Sequence, residues 1–219
     1  MLRGTCGFCK APIPFRYVFV ETLSAVACVL CYLQFGLSLS GLLAYIFVAT
    51  MIVIAFIDLD YMIIPNVISY PGTAIGFALG AVNQFLSPAS APLLGEPFTE
   101  SLLDSAIGVL GSAGLLMAIW WLYLKLRKKE GLGLGDVKLL AMIGATFGIE
   151  CALFTIFIGS MVGSVFGITL ALLSKKGFQN YIPFGPYLVV AVCAYILDAP
   201  GIYALIFDDK IPFYWGVLR

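Results

Sequence analysis

Residues 40–57 read SGLLAYIFVATMIVIAFI, without one charged side chain, and the next residue is Asp58. Wound into a helix at about 1.5 Å per residue, such a run reaches about 27 Å, close to the thickness of a bilayer's hydrocarbon core. Comparable apolar runs recur at about 18–36, 64–86, 102–124, 136–149, 151–173 and 187–207. Lipid offers no partner to an unpaired backbone group, so runs of this kind span as helices. The expected fold is therefore all-α, a polytopic membrane helix bundle with about seven spans. The fifth run, 136–149, is short, as for a helix that starts within a polar cavity or ends early. The stretch SPASAPLLGEPFTE at 87–100 is rich in proline and small residues and reads as a loop.

Composition agrees with the runs. Hydrophobic residues make up 62% of the 219-residue chain and charged residues 11%, with a mean hydropathy of +1.05. The lipid bilayer is the expected surrounding, and a net charge of zero argues against nucleic acid as a partner. The opening residues, MLRGTCGFCKAPIPFR, are polar and cysteine-bearing, unlike a cleavable signal peptide, so the first apolar run is expected to remain in the mature protein. There is no histidine. That excludes triads with a histidine base, removes the commonest zinc ligand, and leaves acid-base chemistry to carboxylates, lysine, tyrosine or cysteine.

Orientation follows from the basic residues, which cytoplasmic loops retain. With the amino terminus inside, ten of the twelve fall on the cytoplasmic side: Arg3, Lys10, Arg16, Lys125, Arg127, Lys128, Lys129, Lys138, Lys175 and Lys176. Lys210 and Arg219 fall outside, and the outer loop 87–101 carries Glu96 and Glu100 with no basic residue.

Two segments then combine acids with unusual backbone chemistry at the cytoplasmic ends of their helices. In Ile57-Asp58-Leu59-Asp60-Tyr61-Met62-Ile63-Ile64-Pro65-Asn66, Asp58 meets the membrane interface and Pro65 can occupy an early position of the next helix. In Gly131-Leu132-Gly133-Leu134-Gly135-Asp136-Val137-Lys138, alternating glycines permit a tight turn that leaves Asp136 at the start of the short helix. Each aspartate taken alone reads as a helix cap or an ordinary interface residue. Two on one membrane face, one in a glycine-rich turn and with no histidine available, read as a reactive pair. Residues two apart on a helix differ by about 200°, so Asp58 and Asp60 do not both face Asp136. Glu21 has two readings, a substrate-side role or a pairing with Arg16. Lys138 reads as an interface anchor that snorkels.

These residues resemble the bacterial type IV prepilin peptidases, a family of aspartic membrane proteases. The resemblance rests on the seven-residue step from Asp58 to Pro65 and on Gly133-Leu134-Gly135-Asp136, continued by Val137-Lys138-Leu139-Leu140-Ala141-Met142-Ile143-Gly144. Pro183-Phe184-Gly185-Pro186, Arg16-Tyr17 with Glu21, and the Cys6-x-x-Cys9 pair extend it across about residues 3–190. It implies Asp58 and Asp136 as the catalytic dyad, with Glu21, Asp60, Gly133, Gly135 and Lys138 in substrate or supporting positions. The implied reaction removes the basic leader from type IV prepilins and pseudopilins at the cytoplasmic face of the bacterial inner membrane. Many members also methylate the new amino terminus with S-adenosylmethionine and hold zinc through two cysteine pairs. Here Cys6 and Cys9 supply one such pair, half of a structural zinc site. Cys28 and Cys31 have the same spacing but lie inside the first apolar run and read as core. The chain is accordingly expected to comprise a remnant of the cysteine-containing loop, 1–17, and a membrane-embedded peptidase domain, 18–219, truncated at its amino terminus. It is expected to cut without zinc and to leave its product unmethylated.

Three other readings stay open on the residues. A presenilin-like protease shares the glycine-x-glycine-aspartate motif but pairs it with a tyrosine-aspartate and a proline-alanine-leucine, and neither is present. A transporter would hold its carboxylates near the bilayer midplane on broken helices. A non-catalytic assembly protein of a secretion system would need no reactive dyad.

Overall fold

A computed structural model describes residues 8, 9, 12, 14–87, 92–128, 133–173 and 183–207. Among them are six helices and no strand: α1 (Phe15–Phe35), α2 (Leu39–Tyr61), α3 (Asn66–Leu86), α4 (Leu102–Arg127), α5 (Leu134–Leu173) and α6 (Gly185–Phe207). The all-α expectation holds. Seven spans are not matched as such. Four of the described helices are long and apolar enough to cross a membrane, α1, α2, α4 and α5, and Gly185–Leu197 within α6 is a shorter apolar segment. α3 is absent from that group because Ser69, Tyr70, Pro71, Thr73, Asn83 and Gln84 dilute its apolar content. The expected fifth and sixth spans correspond to the two helical pieces of α5, which meet at Gly148, where φ +82° breaks the helical course.

The chain divides into two compact units, Met1–Ile52 and Val53–Arg219. In the first, the Ser24 and Tyr45 hydroxyls join α1 to α2 at 3.1 Å. α1 stops where Gly36 takes φ +65° and returns its N–H to the Tyr32 carbonyl at 2.8 Å. Cys31 is buried, but Cys28, one turn earlier, is exposed, so only one of the two matches the core reading.

The second unit is organised on α5, against which α3, α4 and α6 all pack. α4 and α5 cross where Gly108 and Gly144 put backbone against backbone. A Cβ on Gly144 would lie 2.6 Å from the Gly108 carbonyl carbon and 2.7 Å from Ser112 Oγ. Ser112 is buried there and donates to the carbonyls of Gly108 at 2.6 Å and Leu140 at 3.0 Å. Small residues at such a crossing let dispersion contacts and short hydrogen bonds hold helices for which lipid supplies no hydrophobic drive. α4 itself begins at Ser101, whose hydroxyl accepts the Asp104 N–H at 3.1 Å. Asp104 also complements the positive helix end.

The kink in α5 has a partner. Breaking the helix at Gly148 releases carbonyls one turn earlier from their helical donors. Thr99, in the loop between α3 and α4, donates its N–H to the Thr146 carbonyl at 3.1 Å and its hydroxyl to the Ala145 carbonyl at 3.4 Å. Buried Asn83 holds that loop by donating to the Thr99 carbonyl at 2.8 Å and accepting the Leu94 N–H at 2.9 Å. Thr99 and Ser105 hydroxyls meet at 2.9 Å.

Gly144→Ala is expected to lower the stability of the detergent-solubilised chain by about 1–3 kcal/mol, because neither backbone at the crossing can retreat without unpacking α4 from α5. Gly114 on α4 has nothing within 4 Å of an added Cβ, so Gly114→Ala should change the unfolding midpoint little. Thermal unfolding of the two variants side by side checks this.

Candidate active site

Asp58 lies in the last turn of α2 and Asp136 in the first turn of α5, both inside the second unit. Both carboxylates are buried, at 5% and 7% exposure, and they stand within electrostatic reach of each other. Asp60 is exposed, as a 200° rotation from a buried Asp58 requires.

The turn that presents Asp136 is built from Gly133 to Asp136. The Asp136 N–H bonds the Gly133 carbonyl at 3.2 Å, and its carboxylate faces the Gly133 peptide N–H. That is the reciprocal arrangement of a helix start in which the third residue reaches back to the cap. Asp136 is thus the third helical residue and not the cap itself. Gly133 is exposed, while Gly135 is half-buried against Ile64, whose Cβ would lie 3.1 Å from a side chain there. Ile64 is buried in the connection between α2 and α3, so this contact ties the Asp136 turn to the segment that follows Asp58. Pro65 stands at the N-cap of α3, one position ahead of the helix, and its carbonyl accepts the N–H groups of Ile68 and Ser69, each at 3.1 Å.

Lys138 is half-exposed and has a definite partner. Its Nζ donates to Asn66 Oδ1 at 2.8 Å and lies 5.4 Å from the centre of the Tyr70 ring. A cation in the first turn of a helix opposes the macrodipole, and the Asn66 carbonyl and Tyr70 face compensate by clasping it to α3.

A third segment joins the two aspartates. α6 begins at Gly185, and the Gly185 N–H donates to Asp58 Oδ2 at 3.0 Å in a buried hydrogen bond. A Cβ at residue 185 would sit 2.6 Å from that oxygen, so only glycine allows the approach. The sequence reading quoted Pro183-Phe184-Gly185-Pro186 without giving it a role. Glycine between two prolines at the foot of an apolar run was the available signal, but nothing in one sequence says which distant side chain meets it. Asn66 was likewise quoted without a role.

Glu21 is exposed on α1 in the first unit. Cys6 lies outside the described residues, and Cys9 is exposed. Among the described residues no group of three or more cysteine, aspartate or glutamate side chains is arranged to hold a metal ion, so the zinc expectation gains no donor set from them.

A family model described as the type IV leader peptidase family matches residues 45–168, a stretch that contains both buried carboxylates. The chain belongs to that family. A second model, the bacterial peptidase A24 N-terminal domain, matches residues 1–35. A protein of Aeromonas hydrophila named prepilin leader peptidase/N-methyltransferase is 33% identical over 210 residues, 96% of this chain and 64% of that protein. One of the same name from Xanthomonas campestris is 34% identical over 191 residues, 87% of this chain and 62% of that protein. A third, from Legionella pneumophila, is 30% identical and covers 96% of this chain and 66% of its own length. The chain thus spans less than two thirds of the length of these family members. No solved structure matches it.

The burial contrast along α2 has a chemical readout. A water-soluble carbodiimide with an amine nucleophile is expected to modify Asp60 well before Asp58 or Asp136 in the detergent-solubilised chain. Peptide mapping by mass spectrometry checks the order, and equal rates at the three would contradict the burial of the pair.

Proposed function

We propose that this chain is an aspartic-type membrane endopeptidase that removes the leader of type IV prepilins and pseudopilins at the cytoplasmic face of the bacterial inner membrane. The observation that carries the reading is the buried pair, Asp58 and Asp136, supplied by separate helices and each facing a peptide N–H rather than a cation. Two carboxylates that close favour sharing one proton, because like charges resist joint ionisation and the titration belongs to the pair.

Hydrolysis then needs only the pair and a water. The ionised carboxylate takes a proton from water as its oxygen adds to the scissile carbonyl, and the protonated carboxyl gives its proton to the carbonyl oxygen. The tetrahedral adduct collapses with cleavage of the C–N bond: the leaving amine takes the proton gained from water, and as the C=O re-forms a hydroxyl of the adduct returns its proton to the other carboxylate. One water is consumed, and the shared proton is restored. No metal enters the peptide-bond step. Gly133 and Gly135 shape the turn that carries Asp136, Lys138 braces that turn to α3 through Asn66, and Asp60 and Glu21 keep the substrate or supporting positions that the resemblance implies.

The remaining assignments follow the same reading. Residues 1–17 are assigned to a cysteine-containing loop and 18–219 to the peptidase domain. Cys6 and Cys9 are half of a structural zinc site, and methyl transfer from S-adenosylmethionine is a separate activity that cleavage does not require.

Asp58→Asn and Asp136→Asn are each expected to lower cleavage by at least about a hundredfold while membrane insertion is retained, since asparagine keeps the shape and loses the titratable proton. Asp60→Asn should keep substantial activity. The substrate is a prepilin whose leader ends in glycine before phenylalanine or methionine. Product mass reports cleavage, with a free amino terminus expected, and insensitivity of the cut to chelators is expected in the same assay. Full activity in either of the first two variants would remove the dyad.

Orientation has its own test, motivated by the ten-to-two partition of basic residues. Cysteines introduced near residues 62 and 132 are expected to react only with reagents that reach the cytoplasm, and one near 92 only from the opposite side. Inverted labelling would overturn the cytoplasmic assignment.

A further inference from the structure

The hydrogen bond from Gly185 to Asp58 is more than a packing contact, because of where its donor sits. Phe184 caps α6, and the Tyr187 and Leu188 N–H groups return to the Phe184 carbonyl at 3.1 and 3.4 Å. Pro186 has no N–H. Gly185, the first helical residue, therefore holds the N–H of this turn that has no use inside the helix, and it points at Asp58 Oδ2 at 3.0 Å. The positive end of a 23-residue helix stands behind it. A peptide N–H at a helix start bonds a carboxylate more strongly than a neutral carboxyl, as charge-assisted bonds do.

Burial does not separate the two acids, at 5% and 7% exposure, so the difference between them lies in their donors. Asp136 does face the Gly133 N–H, but that donor belongs to its own turn three residues back, not to a separate helix. Among the described residues, the other ionisable groups nearby are turned elsewhere. From α5 the group facing Asp58 is Asp136. Lys138 is committed to Asn66 and to the ring of Tyr70 on α3. On α6 the nearest titratable side chain in sequence, Tyr187, stacks on Phe166 at 5.8 Å. On α2 itself, Asp60 and Tyr61 point outward.

We propose that the α6 N-terminus, through the Gly185 N–H, fixes the working division of the dyad: Asp58 is the ionised member that takes the proton from water, and Asp136 holds the shared proton and gives it to the scissile carbonyl. Gly185 is a positioning residue, acting through Asp58. Its lack of a side chain is what brings the donor within range.

This inference rests on the peptidase reading, and the pH profile of kcat/KM separates the two. The active dyad carries one proton, so the acidic limb marks its formation from the doubly protonated pair and the alkaline limb its loss to the doubly ionised pair. If Asp58 is ionised in the active form, weakening the Gly185 bond disfavours the active and doubly ionised forms equally. The acidic limb then moves to higher pH and the alkaline limb stays. If Asp58 were the protonated member, the alkaline limb would move instead.

The experiment uses the full chain in detergent with the prepilin described above, comparing wild type with Gly185→Ala, whose Cβ would crowd Asp58 Oδ2. A second variant replaces the Gly185 peptide N–H by an ester oxygen. It removes the donor without adding an atom, and α6 loses no internal hydrogen bond. An upward shift of the acidic limb by about one to two pH units, with the alkaline limb in place, is the expected result for loss of a charge-assisted bond. A shift of the alkaline limb alone, or no shift, would overturn the assignment. Should Gly185→Ala fail to fold, the ester variant decides, and an ester variant inactive at every pH would also overturn it. Retained activity in Asp58→Asn would instead remove the dyad reading itself, whatever residue 185 does.

Discussion

Everything in the second unit is arranged around the difficulty of keeping two carboxylates close together at the ends of apolar helices. An ionisable group at membrane depth is costly, and a second of the same sign beside it raises the cost. Asp58 and Asp136 meet it with peptide N–H groups, one from the start of α6 and one from the turn that opens α5. Backbone donors of this kind come with the fold and lose no side-chain entropy on binding. They also demand close approach, and this is why glycine stands at 185, where any side chain would meet the Asp58 oxygen.

Holding three helix ends in register requires that the far ends not drift. At the opposite end of α3, Asn83 and Thr99 tie the connecting loop to the kinked part of α5, and Ser105 brings the start of α4 into the same cluster. Midway, the Gly108 and Gly144 backbones and the Ser112 hydroxyl fix α4 on α5. α5 is thus gripped at three levels: by Ile64 and Asn66 near Asp136, by α4 at the crossing, and by Thr99 at the kink. Its first turn is held to the α2–α3 connection and to α3, as suits a turn that carries one of two matched acids.

The all-helical class was legible in the sequence because apolar runs of membrane length have only one way to satisfy their backbones in lipid. The boundary between the expected fifth and sixth spans was legible too, as a dip in apolar content around Gly148 and Glu150. What a single sequence does not carry is how the break is held: the chain returns after Gly148, so that Gly163 lies beside Phe184 and Tyr187 at the foot of α6, and the donors of Thr99, supplied from another segment, meet the carbonyls just before the break. α3 reads as an apolar run, yet its polar positions face protein: Ser69 and Asn83 are buried, and Asn83 is fully engaged. Hydropathy sums over a window cannot distinguish polar groups turned inward from polar groups that break a span. The separation of Asp58 from Asp60 followed from helix geometry alone. The partnership of Asp58 with Gly185 did not, since a backbone donor leaves no residue-type signature across 127 positions.

The choice of backbone donors over a cation bears on chemistry as well as on cost. An arginine or lysine paired to the dyad would favour ionisation of both carboxylates and empty the site of the proton that a general acid must give. Among the described residues, the groups that act on Asp58 and Asp136 are each other and the peptide N–H groups of Gly185 and Gly133, with no cation among them. The nearby cation, Lys138, is directed by Asn66 and Tyr70 toward α3. Partial charges at helix ends favour one negative charge without supplying the full charge that would stabilise two. A pair so placed can keep a single proton between its members, and an unequal supply of donors then gives that proton a preferred side.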